Sequence, residues 1–207
     1  MNVVFGGTFD PPHRGHFEAA MDLRKLPGVD SLLIVPSYGT PLKNGLTDYE
    51  KRYEMASLAF PGLEVSRIEG ELRSPFSWQL IEALSPSLPK MTFAIGTDQF
   101  VQIESWAEFP RVISLCNWIV LMRKPHRMDD FHDIIRKYCG QGWLEPTSNP
   151  QEFRAGKRII LWSETQAPDL SSTDIRKKLA LGQIEDAKLH LHPKVFEFIE
   201  RNHLYGI

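Results

Sequence analysis

Asn2-Val3-Val4-Phe5-Gly6-Gly7-Thr8-Phe9-Asp10-Pro11-Pro12-His13-Arg14-Gly15-His16 holds an apolar run, a glycine turn and the opening of a helical pattern that continues from Phe17. A short strand that ends in glycines and feeds a helix is the first unit of a parallel α/β sheet. Gly6, Gly7 and Gly15 allow backbone N–H groups to approach a ligand closely, and the helix start presents unpaired donors at the positive end of its dipole. An anion suits that place. His13 and His16 add two side-chain donors for phosphate oxygens, with a pKa that a bound polyanion raises.

Outward from this turn the chain alternates short apolar runs with amphipathic stretches. His16 to Leu26 has helical spacing and stops at Pro27-Gly28, and Ser31 to Val35 reads as a buried strand. Thr47-Asp48-Tyr49-Glu50 has the form of a capping box and predicts a helix to about Phe60. Leu63 to Ser66 reads as a third strand, Ser74-Pro75 as the cap and first-turn proline of a helix through Leu84, and Met91 to Ile95 as a fourth strand. Each strand is expected to lead into a crossover. Further on, Trp106 to Leu115 reads as mixed loop and helix, Trp118 to Met122 as a strand, Asp129 to Tyr138 as a helix and Lys157 to Trp162 as a strand. Ser171-Ser172-Thr173 caps a helix through Leu181, and Pro193 opens a last helix with Val195, Phe196, Phe198 and Ile199 inward. This pattern predicts a Rossmann-like, doubly wound, mainly parallel sheet with helices on both faces, and ligands at the carboxyl ends of the strands. Gly6 to His16 and Gly96-Thr97-Asp98 both fall at such ends.

Composition narrows the ligand. The chain has 207 residues, 42% hydrophobic and 24% charged, which suits one domain over 1–207 with a small helical part at about 171–207. A formal net charge of -2 gives no general basic field, so nucleic acid is not expected and a small polyanion must be gripped locally. Cys116 and Cys139 lack metal-ligand spacing and read as small apolar residues, and no signal segment or long apolar run is seen. A reduced, cytoplasmic protein with no membrane contact is the expectation. The spacing of a dinucleotide-binding GxGxxG and of a P-loop GK[ST] is missing, which argues against a redox module and a P-loop enzyme.

His13-Arg14-Gly15-His16 resembles the HxGH signature of the nucleotidyltransferase superfamily, and Ser171-Ser172-Thr173-Asp174-Ile175-Arg176 resembles its second signature, SSTxIR. Together with Ile95-Gly96-Thr97-Asp98, Trp106 and the His192 to Tyr205 ending, the chain is similar throughout to the nicotinate or nicotinamide mononucleotide adenylyltransferases. The resemblance implies AMP transfer from ATP to a pyridine mononucleotide, with Mg²⁺ accompanying the ATP. It implies catalytic roles for His13, His16 and Arg176, and an ATP site formed by Gly6, Gly7, Thr8, Phe9, Gly15, Asp98, Ser172 and Thr173. It further implies mononucleotide binding by Lys43, Ser77 and Trp106, the last by stacking on the pyridine ring.

Two loops depart from the bacterial pattern. Thr40-Pro41-Leu42-Lys43 keeps the lysine of a Pro-Pro-His-Lys segment and loses its histidine, and in Ser74 to Leu80 only Ser77 matches the threonine of a Ser-Tyr-Thr segment. Lys43 to Leu46 with Arg52 and Met55 also resembles the amide-using branch, so acid and amide both stand as acceptors, the compact length favouring the acid. A phosphopantetheine adenylyltransferase is disfavoured by Trp106 and Leu204-Tyr205. A cytidylyltransferase is disfavoured too, and a non-catalytic nucleotide sensor would be expected to lose a signature side chain.

Overall fold

A computed structural model describes residues 1–39, 45–123 and 127–207. Six strands run parallel in it: β1 (Asn2–Gly7), β2 (Ser31–Pro36), β3 (Glu64–Val65), β4 (Met91–Gly96), β5 (Asn117–Arg123) and β8 (Arg158–Thr165). Two more, β6 (Glu145–Pro146) and β7 (Glu152–Ala155), extend the sheet antiparallel beside β8, giving the order β3-β2-β1-β4-β5-β8-β7-β6. The chain winds outward in one direction through β2 and β3, then returns to the other side of β1 with β4. A crevice therefore opens at the carboxyl ends of β1 and β4, where the order reverses.

Alternation along β1 sends Val3 and Phe5 to one face and Val4 to the other, and each face is covered by its own apolar cluster. The first cluster packs α1 (Arg14–Lys25), α2 (Tyr49–Ala59) and the last helices, α7 (Ser172–Ala180), α8 (Ile184–Lys188) and α9 (Pro193–Arg201), through Ala20, Leu23, Met55, Ile175 and Val195. The second packs α4 (Ser77–Leu84) and α6 (His132–Gly140) through Leu80, Ile81 and Tyr138, with Trp118 and Trp162 among its fully buried side chains. As expected, α9 buries Val195, Phe196, Phe198 and Ile199, its N-cap being His192, whose Nδ1 accepts from Lys194 N at 3.3 Å.

Several boundaries differ from the sequence reading for local reasons. Helix α1 starts at Arg14, whose amide is taken by His190 O at 2.8 Å, so the histidine signature lies on the cap and first turn. The cap of α2 is Asp48, which accepts from Glu50 N at 2.9 Å, and Thr47 instead faces Asp10 and Tyr205. Ser74 folds its hydroxyl onto Phe76 N at 3.2 Å, making a turn before α4 instead of capping it. Short helices α3 (Ile68–Leu72) and α5 (Thr97–Phe100) and the 3₁₀ turns Ile103–Ser105, Arg111–Ser114 and Met128–Phe131 are too brief to show a period. The expected crossover into the last strand is a hairpin, because Gly156 adopts φ 60° in the two-residue turn between Ala155 and Arg158. Among the described residues, no helix is long and apolar enough to cross a membrane.

Candidate active site

The turn after β1 and the start of α7 enclose one side of a cleft of about 280 Å³, and the ends of β4 and β5 enclose the other. Of the residues singled out in the sequence, Thr8, His13, His16, Asp98, Ser172, Thr173 and Arg176 line this cleft. Asp10, Arg123 and the Asp169 to Ser171 segment line it as well.

The two histidines are fixed by the backbone and by each other. His13 is the N-cap of α1, and its own amide donates to Nδ1 of His16 at 3.2 Å. With Nδ1 accepting, the neutral His16 ring carries its proton on Nε2, which makes that atom a donor. The rings stack with centroids 3.7 Å apart, and the Phe9 ring meets His16 edge-on at 5.1 Å. His13 is 3% exposed and its buried Nδ1 has no hydrogen-bond partner among the described residues. Burial, then Arg123 and His190, hold its pKa down at about 3, so the ring is neutral at pH 7. A buried polar atom without a partner costs about 1–3 kcal/mol.

The glycines of the opening turn serve packing. A Cβ on Gly6 would stand 3.0 Å from the Phe93 ring, one on Gly7 2.8 Å from the Phe9 ring, and one on Gly15 2.9 Å from Pro168 O. Phe9 itself is buried with φ 49°, holding the turn from behind. At the tip of β4, a Cβ on Gly96 would collide with Oδ1 of Asp98 and lie 3.7 Å from Nη2 of Arg123. The bare glycine thus lets a carboxylate and a guanidinium fold over the strand end, inside the cleft.

The second signature clasps the first. Ser171 caps α7 by accepting from Thr173 N at 3.1 Å, while Ser172 Oγ donates to Pro11 O at 2.9 Å and Arg176 Nη1 donates to Asp10 O at 2.6 Å. Residues more than 160 positions apart are joined through these two bonds. Arg123, set at the end of β5, donates through Nη1 to Leu170 O at 3.2 Å and stands 3.9 Å from Asp169. In a chain of net charge -2, two arginines and two helix starts converge on one cleft, which suits a polyphosphate. Among the described residues, no group of three or more His, Cys, Asp or Glu could hold a metal ion.

Asp10 is not among the site residues expected from the sequence, and Arg123 belongs to a basic run that follows a strand and could border the triphosphate but reads first as a solvated loop. Asp10 is 2% exposed, accepts from Tyr205 Oη at 2.6 Å and from Thr47 N at 3.2 Å, and stands 3.9 Å from Arg176. A lone acid between Phe9 and two prolines was the available signal for it. Only the pairing of β5 with β4 and β8 brings Arg123 to the cleft.

The residues expected to bind the mononucleotide are placed apart. Trp106 is half-buried, meets Trp118 edge-on at 6.1 Å and packs on the second core, and Ser77 is the first residue of α4; neither lines the cleft between the two signatures. Lys43 lies outside the described residues. Nearby, Glu69 of α3 is 5% exposed and accepts from Tyr38 N at 2.7 Å, and burial pushes its carboxyl up to about 7. Between pH 4.5 and 7 the folded state then holds a proton that the unfolded state has released, so this group's contribution to stability is lost as pH rises through that window. Glu69→Gln, which does not titrate, should gain on the parent protein across the same window by up to about 3 kcal/mol, read from urea unfolding at a series of pH values. A constant difference would show that Glu69 is charged in the fold.

The sequence model of the cytidylyltransferase-like family matches residues 4–178. A probable nicotinate-nucleotide adenylyltransferase of Desulfatibacillum aliphaticivorans is 32% identical over 98% of each chain, and one of Shewanella sp. (strain MR-4) is 31% identical over 98% of this chain and 97% of its own. Among solved structures, a nicotinic acid mononucleotide adenylyltransferase of Plasmodium falciparum, complexed with NaAD, superposes with a TM-score of 0.76 at 19% identity. It covers 98% of this chain and 96% of that one. A putative nicotinate-nucleotide adenylyltransferase of Vibrio parahaemolyticus gives a TM-score of 0.59 at 19% identity, covering 100% and 96%.

Proposed function

The chain belongs to the cytidylyltransferase-like family, and from that premise we propose that it transfers AMP from ATP to nicotinate mononucleotide, giving deamido-NAD and pyrophosphate. The observation that carries the reaction class is the closure of both signatures on one cleft, through Ser172 to Pro11 and Arg176 to Asp10. The names of the curated relatives support the nicotinate acceptor and a role in NAD biosynthesis.

The nucleophile is already an anion, so the protein must align it and neutralise charge rather than form a covalent intermediate. An oxygen of the mononucleotide phosphate attacks the α-phosphorus in line, the new P–O bond forms, and the bond to the β-phosphate breaks with release of pyrophosphate. His16, through Nε2, and the His13 ring donate to the triphosphate oxygens as charge moves onto them. The start of α7 and the Arg176 guanidinium hold the leaving pyrophosphate, with Arg123 opposite. Asp98 accepts from the ribose hydroxyls of the adenosine, and Lys43, Ser77 and Trp106 are assigned to the mononucleotide. Mg²⁺ would enter as part of the ATP substrate, neutralising phosphate charge while held by phosphate oxygens and water, in a cleft that sets Arg123 and Arg176 beside the carboxylates of Asp10, Asp98 and Asp169. The free thiols Cys116 and Cys139 suit a reduced cytoplasm.

Pyrophosphate release from ATP and Mg²⁺, measured with each pyridine mononucleotide in turn, tests the assignment. Faster release with nicotinate mononucleotide is expected. Preference for the amide would move the chain to the other acceptor, and no release with either would overturn the reaction class.

A further inference from the structure

Arg52, on α2, is 1% exposed and does not line the cleft, yet its guanidinium holds three stretches of backbone that border it. Nε donates to Thr47 O at 2.8 Å, Nη1 to Thr8 O at 2.9 Å and to Ser37 O at 2.6 Å, and Nη2 to Tyr38 O at 2.9 Å. Thr8 belongs to the turn after β1; Ser37 and Tyr38 follow β2; Thr47 precedes α2. Ser37 and Tyr38, before Lys43 in the sequence, and Thr47, after it, are therefore held on one planar cation, and the same cation is tied to the phosphate-binding turn.

Two buried acids act on the same residues. Tyr38 N donates to Glu69 at 2.7 Å and Thr47 N donates to Asp10 at 3.2 Å, so two residues that give Arg52 a carbonyl give their amides to buried acids, of which Asp10 also faces the guanidinium. Asp48 also faces the guanidinium, and Tyr49 lies beneath it with its ring centre 5.7 Å away. A buried cation is costly, and an apolar replacement of similar volume commonly serves stability as well or better. A fork with four carbonyl partners does what an apolar group cannot, which is to fix distances between loops.

We propose that Arg52 is a positioning residue for the transfer: it sets Ser37, Tyr38 and Thr47, on the acceptor side, at a fixed distance from the phosphate turn, so that the attacking phosphate meets the α-phosphorus in line. The proposal rests on the adenylyl-transfer reading above. Misplacement by about 1 Å suffices to lower such a reaction on the order of a hundredfold. ATP binding should depend on Arg52 less than acceptor binding does, because the turn is held independently by Ser172 and Arg176.

Arg52→Met and Arg52→Lys, each compared with the parent protein, test this by steady-state kinetics and by amide hydrogen exchange at Tyr38 and Thr47. In Arg52→Met the KM for the mononucleotide should rise about tenfold and kcat fall at least about tenfold, with the KM for ATP within about threefold. Arg52→Lys, which keeps the charge and loses the fork, should lie between, and it decides the question if the methionine variant does not fold. Exchange at both amides should quicken about tenfold or more in either variant. A lysine variant with unchanged kinetics and exchange, or variants in which both KM values rise together without faster exchange, would overturn the proposal. An inactive parent protein would remove the adenylyl-transfer reading instead, and exchange at Tyr38 and Thr47 would still decide whether Arg52 sets the loop.

Discussion

His16→Ala should lower kcat for adenylyl transfer by about 10²–10³ while the protein keeps its fold, the effect usual for removing one preorganised donor to developing negative charge. The expectation follows from the way the ring is held. Its Nδ1 is taken by the amide of His13 at 3.2 Å, which commits the proton to Nε2, and the ring is stacked on His13 at 3.7 Å with the Phe9 edge at 5.1 Å. The imidazole therefore needs no reorganisation when the triphosphate arrives. Alanine also leaves the His13 amide without its acceptor, at a cost of about 1 kcal/mol, small enough for the fold to persist. Turnover at saturating ATP and mononucleotide, beside a circular dichroism spectrum and an unfolding curve, checks both halves. Near-parental turnover in the folded variant would place the phosphate donors elsewhere.

Arg176→Ala should cost a comparable amount, about 10²-fold in kcat/KM for ATP, and for two reasons at once. Its Nη1 donates to Asp10 O at 2.6 Å, which ties α7 to the first turn, its Nη2 donates to Thr173 Oγ1 at 3.4 Å, and the side chain lines the cleft. Arg176→Lys separates the two: a lysine keeps the charge but cannot bond backbone and phosphate as a planar fork, so it should recover only part of the loss. Full recovery by lysine in the same assay would show that charge alone was required.

The fold was largely legible because its strands are continuous apolar runs bounded by glycine and proline, as buried parallel strands must be. Asn2 to Gly7, Ser31 to Pro36 and Met91 to Gly96 stand where the pattern put them, within a residue or two. The antiparallel addition was not legible: Glu145–Pro146 and Glu152–Ala155 are too short and too polar to carry a period, and their pairing is set by a tight turn at Gly156. Thr47 and Ser74 look like caps in isolation, but each hydroxyl is recruited elsewhere, by Tyr205 in one case and by the backbone of the next turn in the other. The two signatures could be paired from sequence, whereas Asp10, Arg52 and Arg123 could not. A buried charge announces itself only through partners distant in the chain, and Asp10 meets Tyr205 while Arg52 meets Thr8.

Those distant partners set a time as well as a shape. Pro11 waits for Ser172, Asp10 waits for Arg176, and Asp10 waits again for Tyr205, 195 residues further on. At ribosomal speeds of about 5–20 residues per second, roughly 10 to 40 s separate the synthesis of the first phosphate turn from that of the phenol that fastens it. The nascent chain carries its histidines through that whole interval, and the clamp is finished only when the segment after the last helix has docked.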